Sequence, residues 1–340
     1  MQLGEAMHQH RRMLPKRCSH PEANAESCGK IINAHTVSSA QYLQRIATDQ
    51  HVYSFIPSAS ELEQWRFSGQ VPRPKRHGIN QASTFTGFCA LHDRSTFRPI
   101  DDSPFVGSAE QVFLLSYRSV CREAYAKAHH LDFLTEVVRN ADRGRDPAWQ
   151  GVVQKRVAWM EEGAERGGRE VNALKAAYDE RLLCKDFGDL AYYLLEFQGT
   201  PVLACSGSGQ VLHDAAGNVL QDLSESSDME ALSLNLLPTE TGGVAALATV
   251  GAKAVWSRVV DSFEALSDAN FANALIHLAF FNFENVFANP KWWDALPAPT
   301  RSFLHWLVAR AHPGMHSFPP FPEGTPRLVD WKLTSQQQIG

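Results

Sequence analysis

The sequence predicts an α+β protein: a Cys/His-rich N-terminal module joined to a body of amphipathic helices and a small, mostly antiparallel sheet. Three observations predict it. Residues 17–100 concentrate cysteine, histidine, proline and serine and have few long periodic runs. Residues 108–184 carry apolar stripes at helical spacing. Residues 190–249 switch to short apolar runs separated by turn chemistry. Helical stretches followed by strand stretches, rather than a strict βαβ alternation, point to the α+β class.

The 340 residues leave room for about two domains. With 44% hydrophobic and 20% charged residues the chain can bury a sizeable core, which excludes a disordered chain, a collagen and a coiled-coil rod. The expected division is a flexible basic leader at 1–16, the Cys/His module at 17–100, the body at 101–330 and a tail at 331–340. Within the module, residues 39–48 fit a short helix with Leu43 and Ile46 or Ala47 on one face. Residues 57–80 hold Pro57, Gly69, Pro72, Pro74 and Gly78 and read as a long exposed loop. It carries a basic cluster, Arg73-Pro74-Lys75-Arg76-His77.

In the body, Ser108-Ala-Glu-Gln111 has the capping-box pattern and opens a helix from 108 to about 130, with His129-His130 at its end. A second helical region spans 148–184. A break at Arg166-Gly167-Gly168 makes it a helical hairpin. Strands are expected at 190–197, 201–206, 210–213, 219–223, 231–237 and 244–249, with Ser206-Gly207-Ser208-Gly209 as a turn. Helices follow at 255–266, at 268–281 with Asp268 as N-cap, and at 300–312, before an extended tail from 313. The stretch through Asn282, Glu284, Asn285, Asn289, Trp292 and Trp293 reads as a helix end with two tryptophans in the core. Cys121, Cys184 and Cys205 lie among apolar neighbours and read as small buried hydrophobes.

Net charge is −5, unevenly spread. Residues 1–100 carry 12 Lys and Arg against 7 Asp and Glu; the remainder carry 20 against 30. Such asymmetry suggests that the basic part contacts DNA or RNA through Arg73, Lys75, Arg76 and His77. The N-terminus has no apolar core of a signal peptide. The longest strongly apolar uncharged stretch, 269–283, is too short to span a bilayer. A soluble, cytoplasmic protein without a membrane partner is expected, its body offering a surface to a protein or ligand.

The chemistry lies in the module. Cys89-Ala-Leu-His92 places a thiol and an imidazole where both reach one ion from a single turn. Cys18 and Cys28 supply the other half, with His20 and His35 as competitors for a ligand position. Thiolate with imidazole selects zinc most economically. Its binding free energy would fold a segment too polar to build its own core.

Two stretches carry a resemblance: Cys28-Gly-Lys-Ile-Ile-Asn-Ala-His35-Thr-Val-Ser38 and Gly-Phe-Cys89-Ala-Leu-His92-Asp93. They resemble the treble-clef arrangement of HNH endonucleases over residues 17–100. There a cysteine pair precedes a strand ending in a histidine, and a second zinc pair opens the closing helix. The resemblance implies that Cys18, Cys28, Cys89 and His92 hold a structural zinc and that His35 is the general base. It places Asp93 where the family commonly has a metal-binding histidine. The family's middle asparagine has no clear match, Asn80 being the nearest.

Two functions follow. One is a metal-dependent endonuclease in which His35 activates water and a Mg²⁺ held by Asp93 takes up phosphorane charge. The other is a non-catalytic, zinc-stapled binding protein.

Overall fold

Tyr192, Tyr193, Leu194 and Leu195 are consecutive and all buried. A strand alternates its side chains between two faces, so four buried neighbours need a core on each side. The structure, a computed structural model, has both. It describes residues 16–57, 72–136, 142–222, 229–251, 254–310 and 326–340, with positions 61, 64, 65, 68 and 140 between them.

In chain order the strands are β1 (Ile31–His35), β2 (His51–Ser54), β3 (Lys75–Gly78), β4 (Thr84–Cys89), β5 (Leu190–Gln198), β6 (Leu203–Gln210), β7 (Ala231–Pro238), β8 (Gly242–Val250), β9 (Val286–Ala288) and β10 (Lys332–Ile339). The helices are α1 (Ala90–Asp101), α2 (Ala109–Glu136), α3 (Pro147–Cys184), α4 (Ala254–Glu264), α5 (Asp268–Asn282), α6 (Pro290–Ala295) and α7 (Ala298–Arg310). Eight strands form one antiparallel sheet, ordered β10-β5-β8-β7-β6-β9-β2-β3. Strands β1 and β4 pair separately, with Ile31 opposite Cys89 and His35 opposite Thr84.

One face of the sheet sends Tyr193, Leu195 and Leu234 into a core with α4, α5 and α7, around Trp256, Phe280 and Trp293. The other sends Tyr192, Leu194 and Ala246 into a core with α1 and α2, around Phe97, Phe113 and Tyr117. Helix α3 lies antiparallel along α2: Tyr117 donates to Asp179 (2.8 Å), and Lys127 lies beside Gly167.

The α+β class is as expected, and several details differ. The stretch expected as an exposed loop at 57–80 contains β3, which pairs with β2, and β2 pairs with β9 of the body. Phe55, just after β2, sits in the far core against Phe280 and Trp293. Residues 17–100 and 101–330 therefore share one sheet. At 39–48 only a 3-10 turn forms, Leu43–Ile46, with Leu43 and Ile46 buried. The break expected at Gly167-Gly168 is absent: α3 continues through it, and the hairpin is made by α2 and α3 instead. Two glycines weaken a helix but do not end it when packing holds the flanks. The N-cap of α5 is Ser267 rather than Asp268. The tail at 331–340 is the edge strand β10, paired with β5. Cys121 and Cys205 are buried, but Cys184 ends α3 exposed. Nearly all of the leader (1–15), the last two residues of the helix expected at 300–312, and residues 313–325 of the expected extended tail lie outside the described residues.

Ser206-Gly207-Ser208-Gly209 is the middle of β6, not a turn. Its glycines serve close approach: a Cβ at Gly207 would lie 2.5 Å from Cδ1 of Phe283. The expected strand at 219–223 is reduced to a bridge between His213 and Val219.

Two stability predictions follow. Gly207→Ala must displace the Phe283 ring and is expected to cost about 1–3 kcal/mol, read by denaturant unfolding. His305 is 5% exposed, edge-on to Phe55 and Trp293, and its Nε2 has no hydrogen-bond partner. Burial pushes it down to about 4, opposed by the charge of Glu61. A depressed histidine binds its proton more readily unfolded, so its contribution is complete above the unfolded value near 6.5. It is lost as pH falls from there towards 4, on the order of 3 kcal/mol in all. His305→Phe should flatten this acid limb in pH-dependent melting; an unchanged limb would remove His305 as its source.

Candidate metal centre

The segment before β1 is a compact loop. The side-chain oxygen of Asn24 accepts from the N–H groups of Glu26 (2.9 Å) and Ser27 (2.8 Å), and the Ser27 hydroxyl donates to the Glu22 carbonyl (2.8 Å). Ser19 N–H donates to the Gly87 carbonyl (2.7 Å), tying the loop to β4. Cys18 and Cys28 are thereby held over the start of α1. There Cys89 is the N-cap, and its sulfur accepts from the His92 N–H at 3.4 Å. Cys18 sulfur accepts from the Cys89 N–H, also at 3.4 Å. Unsatisfied amides at a helix N-terminus favour negative charge, so this is a good seat for thiolates.

The ligand atoms of Cys18, Cys28, Cys89 and His92 all lie within 4.8 Å of one another. The three sulfurs are 3.5, 3.7 and 3.3 Å from His92 Nδ1. A tetrahedral zinc with Zn–S of about 2.3 Å and Zn–N of about 2.05 Å sets sulfur and nitrogen roughly 3.6 Å apart. The cluster therefore fits zinc in donor type, number and spacing. Burial pushes the Cys18 thiol up to about 11, against the N–H donors of Cys89 and His20. For Cys89 burial acts the same way but is outweighed by the N–H groups of His92 and Gly29 and by the neighbouring thiols, which hold it below the usual range.

The other histidines are placed elsewhere. His20 stacks on His92 (4.2 Å between ring centres, planes within 4°), and its Nδ1 accepts from the Glu22 N–H at 3.2 Å. His35 ends β1 with Nε2 3.3 Å from the Ile79 carbonyl. Burial pushes it below the usual imidazole range, with the Ile79 carbonyl opposing and the charge of Arg118 assisting.

Asp93 faces Arg118. The Arg118 guanidinium is buried, makes a two-pronged contact with Asp101 (3.0 and 2.6 Å) and lies 3.9 Å from Asp93 Oδ1. It also stacks 3.8 Å over the Phe97 ring. Burial raises the Asp93 carboxyl, and Arg118 opposes the shift. A fixed cation thus stands where the sequence expects Mg²⁺, and the donors around Asp93 do not fit a divalent ion. Among the described residues, the three cysteines and His92 are the one group of three or more metal-ligating side chains that converges. Asn80 is exposed at the β3–β4 turn.

The basic cluster is partly neutralised. Lys75 pairs with Glu61 (2.8 Å) and Arg76 with Asp49 (3.5 Å). Burial, then the charge of Lys75, lowers His77. Arg73 is exposed. No described helix is long and apolar enough to cross a membrane.

No protein family, curated protein or solved structure matches this chain. The resemblance to HNH endonucleases therefore has no support beyond its residues. Sequence reading missed Arg118, and it placed Asn285 only in a polar helix end. Arg118 had a signal, being a charge inside the apolar run 112–121, where burial needs a partner. The role of Asn285 had none: its amide donates to Ser83 Oγ (3.1 Å) and the Ser206 carbonyl (2.9 Å), joining segments far apart in sequence.

Elemental analysis of the purified chain is expected to give one zinc. Cys28→Ser should bring zinc towards zero and lower the melting temperature, whereas His20→Ala and His35→Ala should leave zinc at one. Acidification should release the ion as protons compete for the thiolates.

Proposed function

We propose that this chain is a zinc-stapled binding protein in which the Cys18, Cys28, Cys89 and His92 centre is structural and carries no chemistry. One observation carries the reading. Four side chains converge, with Cys89 and His92 buried, and four protein ligands would fill a tetrahedral zinc's coordination and leave no position for a water or substrate. The ion's work is then to hold the 18–28 loop, β1, β4 and α1 together. Arg118 supports the same reading. Its charge is matched by Asp101 and stands 3.9 Å from Asp93 Oδ1, which has no hydrogen-bond partner, so a cation already faces the carboxylate that a Mg²⁺-dependent phosphodiesterase would need.

The nuclease is the second reading, and one observation favours it. With its Nε2 hydrogen donated to the Ile79 carbonyl, His35 keeps Nδ1 as a free base, and its lowered pKa holds it neutral near pH 7. A neutral, oriented imidazole is what water activation requires.

The two readings separate in one assay. The zinc-loaded chain is incubated with plasmid DNA, single-stranded DNA and RNA in Mg²⁺, Mn²⁺ or Ni²⁺. No cleavage is expected. Cleavage that His35→Ala abolishes while zinc and melting temperature stay unchanged would overturn the binding-protein reading in favour of the nuclease.

A further inference from the structure

The N-terminal half of α3 exposes a row of large side chains. Trp149 is 59% exposed, Val152 62% and Trp159 47%. Their spacing of three and seven residues puts them on one helix face. Exposed tryptophans grouped in this way mark an interaction surface more often than chance placement does.

The exposed charges from 143 to 159 are mostly cationic. Arg143, Arg145, Lys155 and Arg156 are exposed, and none has an ion-pair partner among the described residues. Two acids lie among them: Asp146 is engaged as the N-cap of α3, accepting from the N–H groups of Ala148 and Trp149, and Asp142 is buried, with Oδ1 accepting from the Gln154 amide at 2.9 Å and Oδ2 without a hydrogen-bond partner. Arg156 lies 4.4 Å over the Trp159 ring. Beside Trp149 an open depression of about 750 Å³ is lined by Asp142, Arg145, Asp146, Trp149 and Val153. This cationic tip belongs to a chain of net charge −5.

We propose that this face of the α2–α3 hairpin binds single-stranded nucleic acid, with the indoles stacking on bases while the four cations meet phosphates. Stacking platforms interleaved with cations are what an unpaired strand requires, because every base offers a flat face and every nucleotide a negative charge. A membrane surface fits less well: it asks for a continuous apolar face, and here Arg156 interrupts the row between Val152 and Trp159. A second copy of the chain would set the same cations against one another. The inference goes beyond the structural reading of the zinc centre and is independent of it, since α3 supplies no ligand to the ion.

The test uses the full, zinc-loaded chain and fluorescently labelled oligothymidylate and oligouridylate of about 15 nucleotides, read by anisotropy at several salt concentrations. Binding that weakens with salt is expected, with a duplex of equal length bound less tightly. Trp149→Ala with Trp159→Ala should weaken binding at least tenfold. Lys155→Gln with Arg156→Gln should lower the slope of log affinity against log salt by about 1.4. All four side chains are exposed, so melting temperature should stay unchanged and report that the variants fold. Absence of binding, equal binding by the tryptophan variant or equal affinity for the duplex would overturn the proposal. So would pelleting with phosphatidylserine vesicles that the same variants abolish while no oligonucleotide binds. Zinc content measured on the same samples keeps this outcome separate from the fate of the structural reading.

Discussion

The convergence of three thiols and one imidazole sets the constraint on which the N-terminal half depends. Cys28 and Cys89 are 61 residues apart, and what lies between them is not a simple insertion. The chain leaves the cluster along β1, adds β2 and β3 to the edge of the large sheet, buries Phe55 among Phe280 and Trp293, and returns along β4. Closing so long a loop has an entropic cost that grows slowly with length. Here that cost is offset at two places, by the ligand cluster and by the strand pairing of β2 with β9. The Cys/His cluster and the body are therefore joined through the same segment.

The junction between them is polar and buried. Asn285, just before β9, holds Ser83 and the β6 backbone together, and Ser83 in turn accepts from the Thr36 hydroxyl and N–H through its carbonyl and from the Val37 N–H through its hydroxyl, just past His35. Arg118 does the corresponding work between α2 and α1, with Asp101 on one side and Phe97 beneath. A buried guanidinium is tolerable only when its charge is matched, and Asp101 matches it through both terminal nitrogens, while Nε has no hydrogen-bond partner. Meeting that requirement directs the carboxylates beside His35 towards a side chain rather than towards solvent. The same contact explains how a histidine at a strand end can look catalytic in sequence and sit beside a neutralised neighbourhood in space.

Much of the fold was legible where periodicity was strong. The helices at α2, α4, α5 and α7 and the strands β5, β7 and β8 follow their apolar patterns closely. The misreadings share a cause. Gly207 and Gly209 look like turn residues, but the first is required because Phe283 lies against the strand. Gly167 and Gly168 look like a helix break, but α2 holds α3 straight through them. In each case a neighbour remote in sequence decided what a permissive residue does. The long eight-stranded sheet was underestimated for the same reason: β2, β3 and β10 are short or polar and become strands by pairing with partners elsewhere in the chain.

For the site, residue types and local spacing were enough to name the four side chains that converge as a possible metal site, because thiolate and imidazole chemistry is carried by the side chains themselves and Cys89 and His92 share one turn. Local sequence also settled the α+β class and the helical character of the middle of the chain. Which histidine completes the cluster, what faces Asp93 and where unpaired cations gather were decided by tertiary structure alone. Each depends on distances between segments tens to hundreds of residues apart, and a linear pattern does not contain those distances.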